Sequence, residues 1–562
     1  MQGCKIWPGE IAWWNNSLAT SKSLRAEPSD VMAQLRMIAK RTFASAGPRY
    51  GPSVDPEAPN LEIEPLQRAA CALIVGERLR ARVSALSKSL AAALGRDAYV
   101  AAQLFKRRTV DLQRLCLDLT ALADVSEMGD VKRQALLVRR HLKVVRGRLS
   151  DALGDAYTEL RAVEQPIPGP QADDDEKLRS TNRQRVQATV AALQRLDSPL
   201  SEIEEFIEGP EGELLIRSSS ILLLGEWGTG KTHFVCDFAQ QALDDGTPAL
   251  VVLASELRSD IHPLDAIAEA TRLAESGAEL VRVLSAAAAG QNRRALVLID
   301  AINESDREAW RRWLPCLLND VAAAGHLGLV VSCRTPFDSS AVSDHARAKM
   351  VELHHPGFED QEFDAQSEYF RHYGVPPLHV PLLSSEFSRP LFLRLLCASI
   401  KDLGKRSQRD KLRDLASGQK SLTYVLEYFV KHVGAEVEAA HGLSSKACWL
   451  IMKGEPRRGR LGLAGVLATH RREWLTPDEV VREVRAYTSI DLVAARSVVQ
   501  SMHAAGLLIE TSRYEDGMYS DIFMLPYQRF SDHLVARHLL DEYLDTSTDT
   551  KLRRCFYSNQ EQ

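Results

Sequence analysis

Residues 225–232 read Gly225-Glu226-Trp227-Gly228-Thr229-Gly230-Lys231-Thr232, a full G-x-x-x-x-G-K-T, and the helical run His233-Phe234-Val235-Cys236-Asp237-Phe238 follows at once. Glycines at these spacings let the backbone curl until successive N–H groups point inward, and a helix N-terminus adds its positive end at the same point. The chemistry this suits is the cradling of a polyphosphate. Lys231 supplies a point charge to the β and γ phosphates, and the Thr232 hydroxyl is a ligand for Mg²⁺. Further on, Leu296-Val297-Leu298-Ile299-Asp300-Ala301-Ile302-Asn303-Glu304 is an apolar run ending in an acid. A strand of this kind beside a phosphate loop delivers its terminal carboxylate to the metal shell, so Asp300 is the Walker B candidate. Glu304 is placed to polarise a water for attack on the γ phosphate. A third run, Leu329-Val330-Val331-Ser332, leads into Cys333-Arg334, where a cation at the strand end is positioned to sense the γ phosphate.

These groups converge only if a sheet brings them together. Between residues 219 and 356, short apolar runs at 221–224, 249–253, 295–299, 329–332 and 350–353 alternate with helical stretches. Unbroken apolar runs separated by helices predict a parallel sheet covered on both faces. From 357 to 440 the pattern is helical. Two helical patterns at 477–487 and 491–505 then precede strand-like runs at 507–511 and 518–525, with Glu515-Asp516-Gly517 between them. Asp-Gly between two such runs predicts a hairpin, and helix, helix, hairpin is the sequence shape of a winged helix.

Residues up to about 164 are mostly helical, broken by Ala46-Gly47-Pro48-Arg49-Tyr50-Gly51-Pro52. Apolar positions Val131, Ala135, Val138, Leu142, Val145 and Leu149 step by four and three, which draws one seam along a helix. Its other face carries Lys132, Arg133, Arg139, Arg140, Lys143, Arg146 and Arg148, either a solvated bundle face or a strip for nucleic acid or an acidic partner. Helix breakers at 165–170 and the acids Asp173-Asp174-Asp175-Glu176 read as a linker, followed by a helix at about 177–196.

Composition narrows the classes. A chain of 562 residues suggests three to four domains, and 45% hydrophobic with 26% charged residues excludes wholesale disorder. Lys and Arg total 70 against 75 Asp and Glu, net −5, so the global basic excess of a non-specific nucleic-acid binder is missing. The longest apolar runs, 249–254 and 295–302, are too short to span a bilayer, and residues 1–8 lack a secretory pattern. Nine cysteines without a C-x-x-C pair fit a reduced cytosol, and Cys236 and Cys333 read as small buried hydrophobes. A cytoplasmic location is the expectation.

Several motifs in this order resemble the signal transduction ATPases with numerous domains (STAND), in particular the NACHT-like branch that includes the antiviral Avs (AVAST) proteins. The stretch from Gly225 through Thr232 to His233 is similar to the Avs phosphate loop. Ile299-Asp300-Ala301-Ile302-Asn303-Glu304 is similar to the extended NACHT Walker B, with Asn303 where that pattern usually has Asp. Ser332-Cys333-Arg334 looks like the sensor arginine, and 388–397 resembles a helical-domain motif whose proline, here Pro390, packs near the adenine. The segment 527–533 is similar to the end of a winged-helix domain in which a polar residue, taken as His533, contacts bound nucleotide. The match covers about residues 200–540. The Gly47-Pro48-Arg49-Tyr50 segment is weakly similar to N-terminal regions of Avs-like chains. No effector motif is visible in 1–164 and no repeat array anywhere, so the chain is either a reduced member or incomplete.

The expected architecture is an α/β P-loop NTPase of ASCE/STAND type, with a helical N-terminal domain (1–164), linker and helix (165–200), NTPase domain (201–356), helical lid (357–440), winged helix (441–545) and tail (546–562). The expected function is an ATP- and Mg²⁺-dependent, slowly hydrolysing switch in antiviral defence. It would form homo-oligomers with ATP and answer to an unidentified trigger and effector. The alternative is an ATP-controlled transcription regulator that binds DNA through the winged helix, against which stands the poverty of 491–505 in base-reading residues.

Overall fold

The computed structural model describes residues 28–96, 110–125, 127–164, 172–226, 228–376, 385–401, 422–505, 507–515, 518–525 and 528–543. The five predicted runs form β1 (Ser220–Gly225), β2 (Ala249–Leu253), β3 (Ala295–Asp300), β4 (Leu327–Arg334) and β5 (Val351–His354). Every pairing is parallel and the order is β2-β3-β4-β1-β5. All residues of β1, β2 and β3 are buried, which is why their sequences run apolar without alternation. β3 is not the immediate neighbour of the phosphate-loop strand. β4 lies between them, and its register sets Arg334 opposite Gly225.

The edge strand β2 is covered by α1 (Pro28–Ala46), whose Thr42 Oγ1 donates to the Val251 carbonyl at 3.0 Å. Behind β3 and β4 lies α2 (Glu64–Ile74), with the Leu73 and Ile74 carbonyls accepting bonds from Arg294. Gly328 in β4 makes room for it, since a Cβ there would sit 2.9 Å from Leu73 Cγ. Residues 28–74 therefore pack on the sheet, across the boundary the sequence suggested near 164–200.

A helical bundle follows: α3 (Glu77–Arg96), α4 (Val110–Ala123), α5 (Met128–Glu164) and α6 (Ala172–Glu208), with α7 (Pro210–Ile216) leading to β1. All six seam positions of α5 are buried. Much of the basic strip is consumed inside the bundle: Arg139 pairs with Glu208, Arg146 with Asp197 and Glu204, and Arg148 with Asp111. α6 continues through Pro199, where the sequence suggested a stop. Proline inside a helix costs roughly 3 kcal/mol. Leu196, Leu200, Ile203, Phe206 and Ile207 are fully buried on either side, and at about 1.5–3 kcal/mol for each such side chain the packing outweighs that cost.

The phosphate loop opens into α8 (Lys231–Asp244), and α9 (Pro263–Thr271), α10 (Gly277–Ala289) and α11 (Arg307–Ala324) complete the sheet's covering. Beyond β5 come α12 (Glu362–His372), α13 (Pro390–Ile400), α14 (Leu422–Ala440), α15 (Ala447–Lys453) and α16 (Gly462–His470). Next are α17 (Pro477–Thr488) and α18 (Leu492–Ala504), the antiparallel pair β6 (Ile509–Glu515) and β7 (Met518–Met524), and α19 (Gln528–Tyr543). A reciprocal Thr476/Glu479 capping box starts α17, and Asp491 caps α18 through the Ala494 N–H at 2.8 Å. Glu515 faces Met518, so the two strands pair up to the Asp516-Gly517 dipeptide, which itself lies outside the described residues. No described helix is long and apolar enough to cross a membrane.

Candidate nucleotide site

The loop adopts backbone angles that suit glycine, with φ of 77° at Gly228 and 107° at Gly230. Gly225 is tight as well: a Cβ would come within 3.0 Å of the His355 carbonyl and of Thr229 Oγ1. Thr229 ties the loop by donating to the Glu226 carbonyl at 3.0 Å. Lys231 Nζ donates to the Gly225 and Glu226 carbonyls at 2.7 and 2.6 Å, inside the loop whose phosphate it would serve. Burial, then Arg334, lowers its ammonium to about 8, against the pull of Asp300 and Glu304. Trp227 lies outside the described residues.

Asp300 is fully buried, and each of its oxygens is held: Thr232 Oγ1 donates to Oδ2 at 2.8 Å and Ser332 Oγ to Oδ1 at 2.5 Å. Ser332, which the sequence showed only as a strand residue, also accepts from the Ala301 N–H at 2.8 Å. Ala301 sits in the left-handed region, φ 58° and ψ 54°, a conformation costing a non-glycine residue roughly 1–2 kcal/mol. That turn lets the chain leave β3 with Asp300 against Thr232 and Glu304 inside the cavity. A threonine hydroxyl and one carboxylate are the sparse, hard oxygen set that Mg²⁺ uses when phosphates complete its shell. The residues present thus fit the ion. Among the described residues no cluster of three or more His, Cys, Asp or Glu side chains offers a site built from protein alone.

Glu304 is gripped from both sides. Arg334 reaches Oε1 and Arg49 reaches Oε2, each at 2.6 Å, and the three side chains are only 9–14% exposed. Burial by itself would raise the Glu304 carboxyl, but the two guanidiniums hold it below the usual carboxylate range. Asn303 is occupied otherwise, accepting the Arg334 backbone N–H at 3.0 Å.

The cavity, about 140 Å³, is lined by Gly228, Thr229, Gly230, Lys231, Thr232, His233, Asp300, Glu304, Arg334 and Pro390, together with groups the sequence did not single out. One is Arg49. Others are Asn60, Gln67, His355, Tyr369, Leu391 and Arg394. Residues 47–63 reach the loop through His233: its ring lies 5.4 Å from that of Tyr50, Nδ1 accepts from the Gly51 N–H at 3.4 Å, and Nε2 meets Asn60 Oδ1 at 2.9 Å. Burial, then Arg394, lowers His233 to about 4, and this pattern is that of a neutral ring carrying its proton on Nε2. On the lid side the Leu391 N–H points to the Gly228 carbonyl at 3.4 Å, and Arg389 pairs with Glu226.

His533 does not join them. Its Nε2 lies 3.3 Å from Glu427 Oε1 on α14, outside the residues lining the cavity. Glu427 is itself held low in pKa, first by that bond and then, against its burial, by Arg537. The half-buried carboxylate recruits the imidazole, so His533 links α19 to α14 instead of meeting nucleotide directly.

The sheet order, the phosphate loop and the buried Asp300 together define an α/β P-loop NTPase fold. No protein-family profile and no curated protein matches the chain. Among solved structures it is similar to AMPPCP-bound DnaA from Aquifex aeolicus, at 13% identity over 55% of this chain and 87% of that one, TM-score 0.27. It is also similar to Aeropyrum pernix ORC1 in complex with DNA (16%, 64% and 92%, 0.22) and to Drosophila ORC bound to DNA (15%, 62% and 96%, 0.23). Scores this low leave the assignment to the sheet and the loop themselves.

The lysine makes the site pH-sensitive. Only the ammonium form serves a phosphate, and in the free site it is lost as pH rises through about 8. ATP affinity should therefore weaken roughly eightfold between pH 7.5 and 9, the ratio of the protonated fractions. Titrations across that range check this; a flat affinity would show that Lys231 stays charged throughout or takes no part.

Proposed function

We propose that the chain is an ATP- and Mg²⁺-binding, slowly hydrolysing switch of the STAND type, working in prokaryotic antiviral signalling and assembling into homo-oligomers with ATP. The observation that carries the switch reading is that one cavity draws Lys231, Thr232, Asp300, Glu304 and Arg334 from the sheet's strand ends and the start of α8, Pro390 and Leu391 from α13, and Arg49 from the N-terminal segment. A bound triphosphate would touch all three, and a ligand that contacts elements only when they are together shifts the equilibrium by that differential affinity. Glu473, in the segment before α17, is near enough to Arg307, Glu304 and Arg334 to feel their charges, which extends the coupling to the C-terminal unit. In this reading 357–440 is a lid and 441–545 a winged helix acting as an intramolecular clamp. The antiviral role is drawn from the resemblance of the motifs at 225–233, 299–304 and 332–334.

The clamp reading has a test in His533. Its contact with Glu427 holds α19 to α14, so His533→Ala should raise oligomer formation with ATP, because removing a contact made in one conformation favours the other. Light scattering of wild type and mutant with and without ATP measures this, beside a duplex DNA titration at two salt concentrations. α18 exposes Leu492 and Val493, 45% and 78%, and carries a single arginine, Arg496, so duplex binding should be weak and without sequence preference. Tight, salt-resistant binding to one duplex, with oligomerisation unchanged by the mutation, would favour a transcription regulator.

A further inference from the structure

We propose that Arg49 is a γ-phosphate-sensing arginine supplied in cis by the N-terminal segment, and that its ion pair with Glu304 is the contact it exchanges for the phosphate. The inference rests on the NTPase reading and adds to it a residue 255 positions from Glu304 in the chain, outside every motif of the sheet.

Three observations carry it. The first is place: Arg49 lines the same cavity as Lys231 and Thr232, and its guanidinium touches the carboxylate expected to activate water. The second is stoichiometry. Glu304 holds one guanidinium on each oxygen. To take a proton from water, while the water oxygen bonds to the γ phosphorus and the electron pair of the breaking bond leaves with the β phosphate, the carboxylate must aim a lone pair at that water, and a guanidinium on each oxygen crowds the approach to both. Moving one arginine opens it. The third is anchoring, which decides which one. Arg334 ends a sheet strand, in register with Gly225, and its backbone N–H is bonded to Asn303. Arg49 follows a helix end and a glycine at φ 53°, and among the described residues the one side-chain hydrogen bond it makes besides that to Glu304 is a long one, Nε to the Ala46 carbonyl at 3.4 Å. A phosphate bearing several charges binds a guanidinium in the same forked geometry as a carboxylate, with more charge to attract it.

The segment that carries Arg49 is fixed to both sides of the cavity. Tyr50 packs between Phe43 and His233, with ring centroids 4.9 and 5.4 Å away, and Asp55 Oδ2 meets His372 Nε2 of α12 at 2.8 Å. Exchange of Arg49 between Glu304 and phosphate would therefore report nucleotide to the N-terminal helix and to the lid together.

The test compares ATP and ADP affinities and hydrolysis for the full-length wild type, Arg49→Ala and Arg49→Lys. Arg49→Ala should bind ADP within about twofold of wild type, bind ATP about tenfold more weakly, and hydrolyse it at least about tenfold more slowly. Arg49→Lys, which keeps the charge without the fork, should fall between and guards against a folding defect in the alanine variant. An arginine that only props the segment would change ATP and ADP affinity by the same factor, and that result, or an unchanged ATP affinity, overturns the proposal while leaving the NTPase reading intact. Failure of the wild type itself to bind either nucleotide overturns both.

Discussion

Glu304→Gln should bind MgATP at least as tightly as the wild type and hydrolyse it at least about a hundredfold more slowly, the scale of a positioned general base. The size of the effect follows from the lack of a ready substitute. Asp300 has both oxygens committed, to Thr232 and to Ser332, and Asn303 is an amide already bonded to the Arg334 backbone. The other carboxylates lining the cavity, Asp237 and Glu62, are engaged elsewhere, Asp237 accepting from Asn60 and Gln241 and Glu62 from Gln241. Binding should survive because the amide removes negative charge between Arg49 and Arg334, which leaves two guanidiniums more available to phosphate. Phosphate release under saturating ATP, with binding measured separately, checks both halves. Hydrolysis at the wild-type rate would mean that another group positions the water.

The sheet was legible because each buried strand is a short unbroken apolar run, and the five runs read from the sequence are the five strands observed to within a few residues. Their order was not, because nothing in 327–334 says that this strand inserts between β1 and β3; that depends on how crossovers pack. At the site, the G-x-x-x-x-G-K-T and the acid after 296–299 carry their chemistry in consecutive residues, so they could be read one chain segment at a time. Arg49, Asn60 and His355 could not. They reach the cavity from distant segments, and the signs around Arg49 were a cluster of glycines and prolines, which reads equally well as a loop, and a weak similarity of 47–50 to N-terminal regions of Avs-like chains, which assigned the arginine no role. Ser332 was hidden differently: a serine inside an apolar strand looks like a tolerated polar residue until its hydroxyl is seen between Asp300 and the Ala301 N–H. His533 was placed by analogy with a motif, and the local charge of Glu427 and Arg537 sets its contact instead.

Lys231→Ala should cost about 1.5–3 kcal/mol of nucleotide affinity, tenfold or more in Kd, because it deletes the loop's only formal positive charge from a buried site where a charge-assisted bond is strong. Arg334 and Arg49 remain nearby but are turned toward Glu304, so they replace the lysine only in part. The loop itself should stand. The lysine's two bonds to the Gly225 and Glu226 carbonyls are lost, while the Thr229 to Glu226 bond and the Phe234 N–H to Gly230 bond at 2.8 Å persist. The most direct measurement is a calorimetric titration of MgATP into the folded full-length chain and into Lys231→Ala at pH 7.5. A saturable site in the wild type that weakens at least tenfold in the mutant is the predicted result. Equal affinities in the two proteins, or no binding to either, would contradict the assignment of this cavity as a nucleoside-triphosphate site.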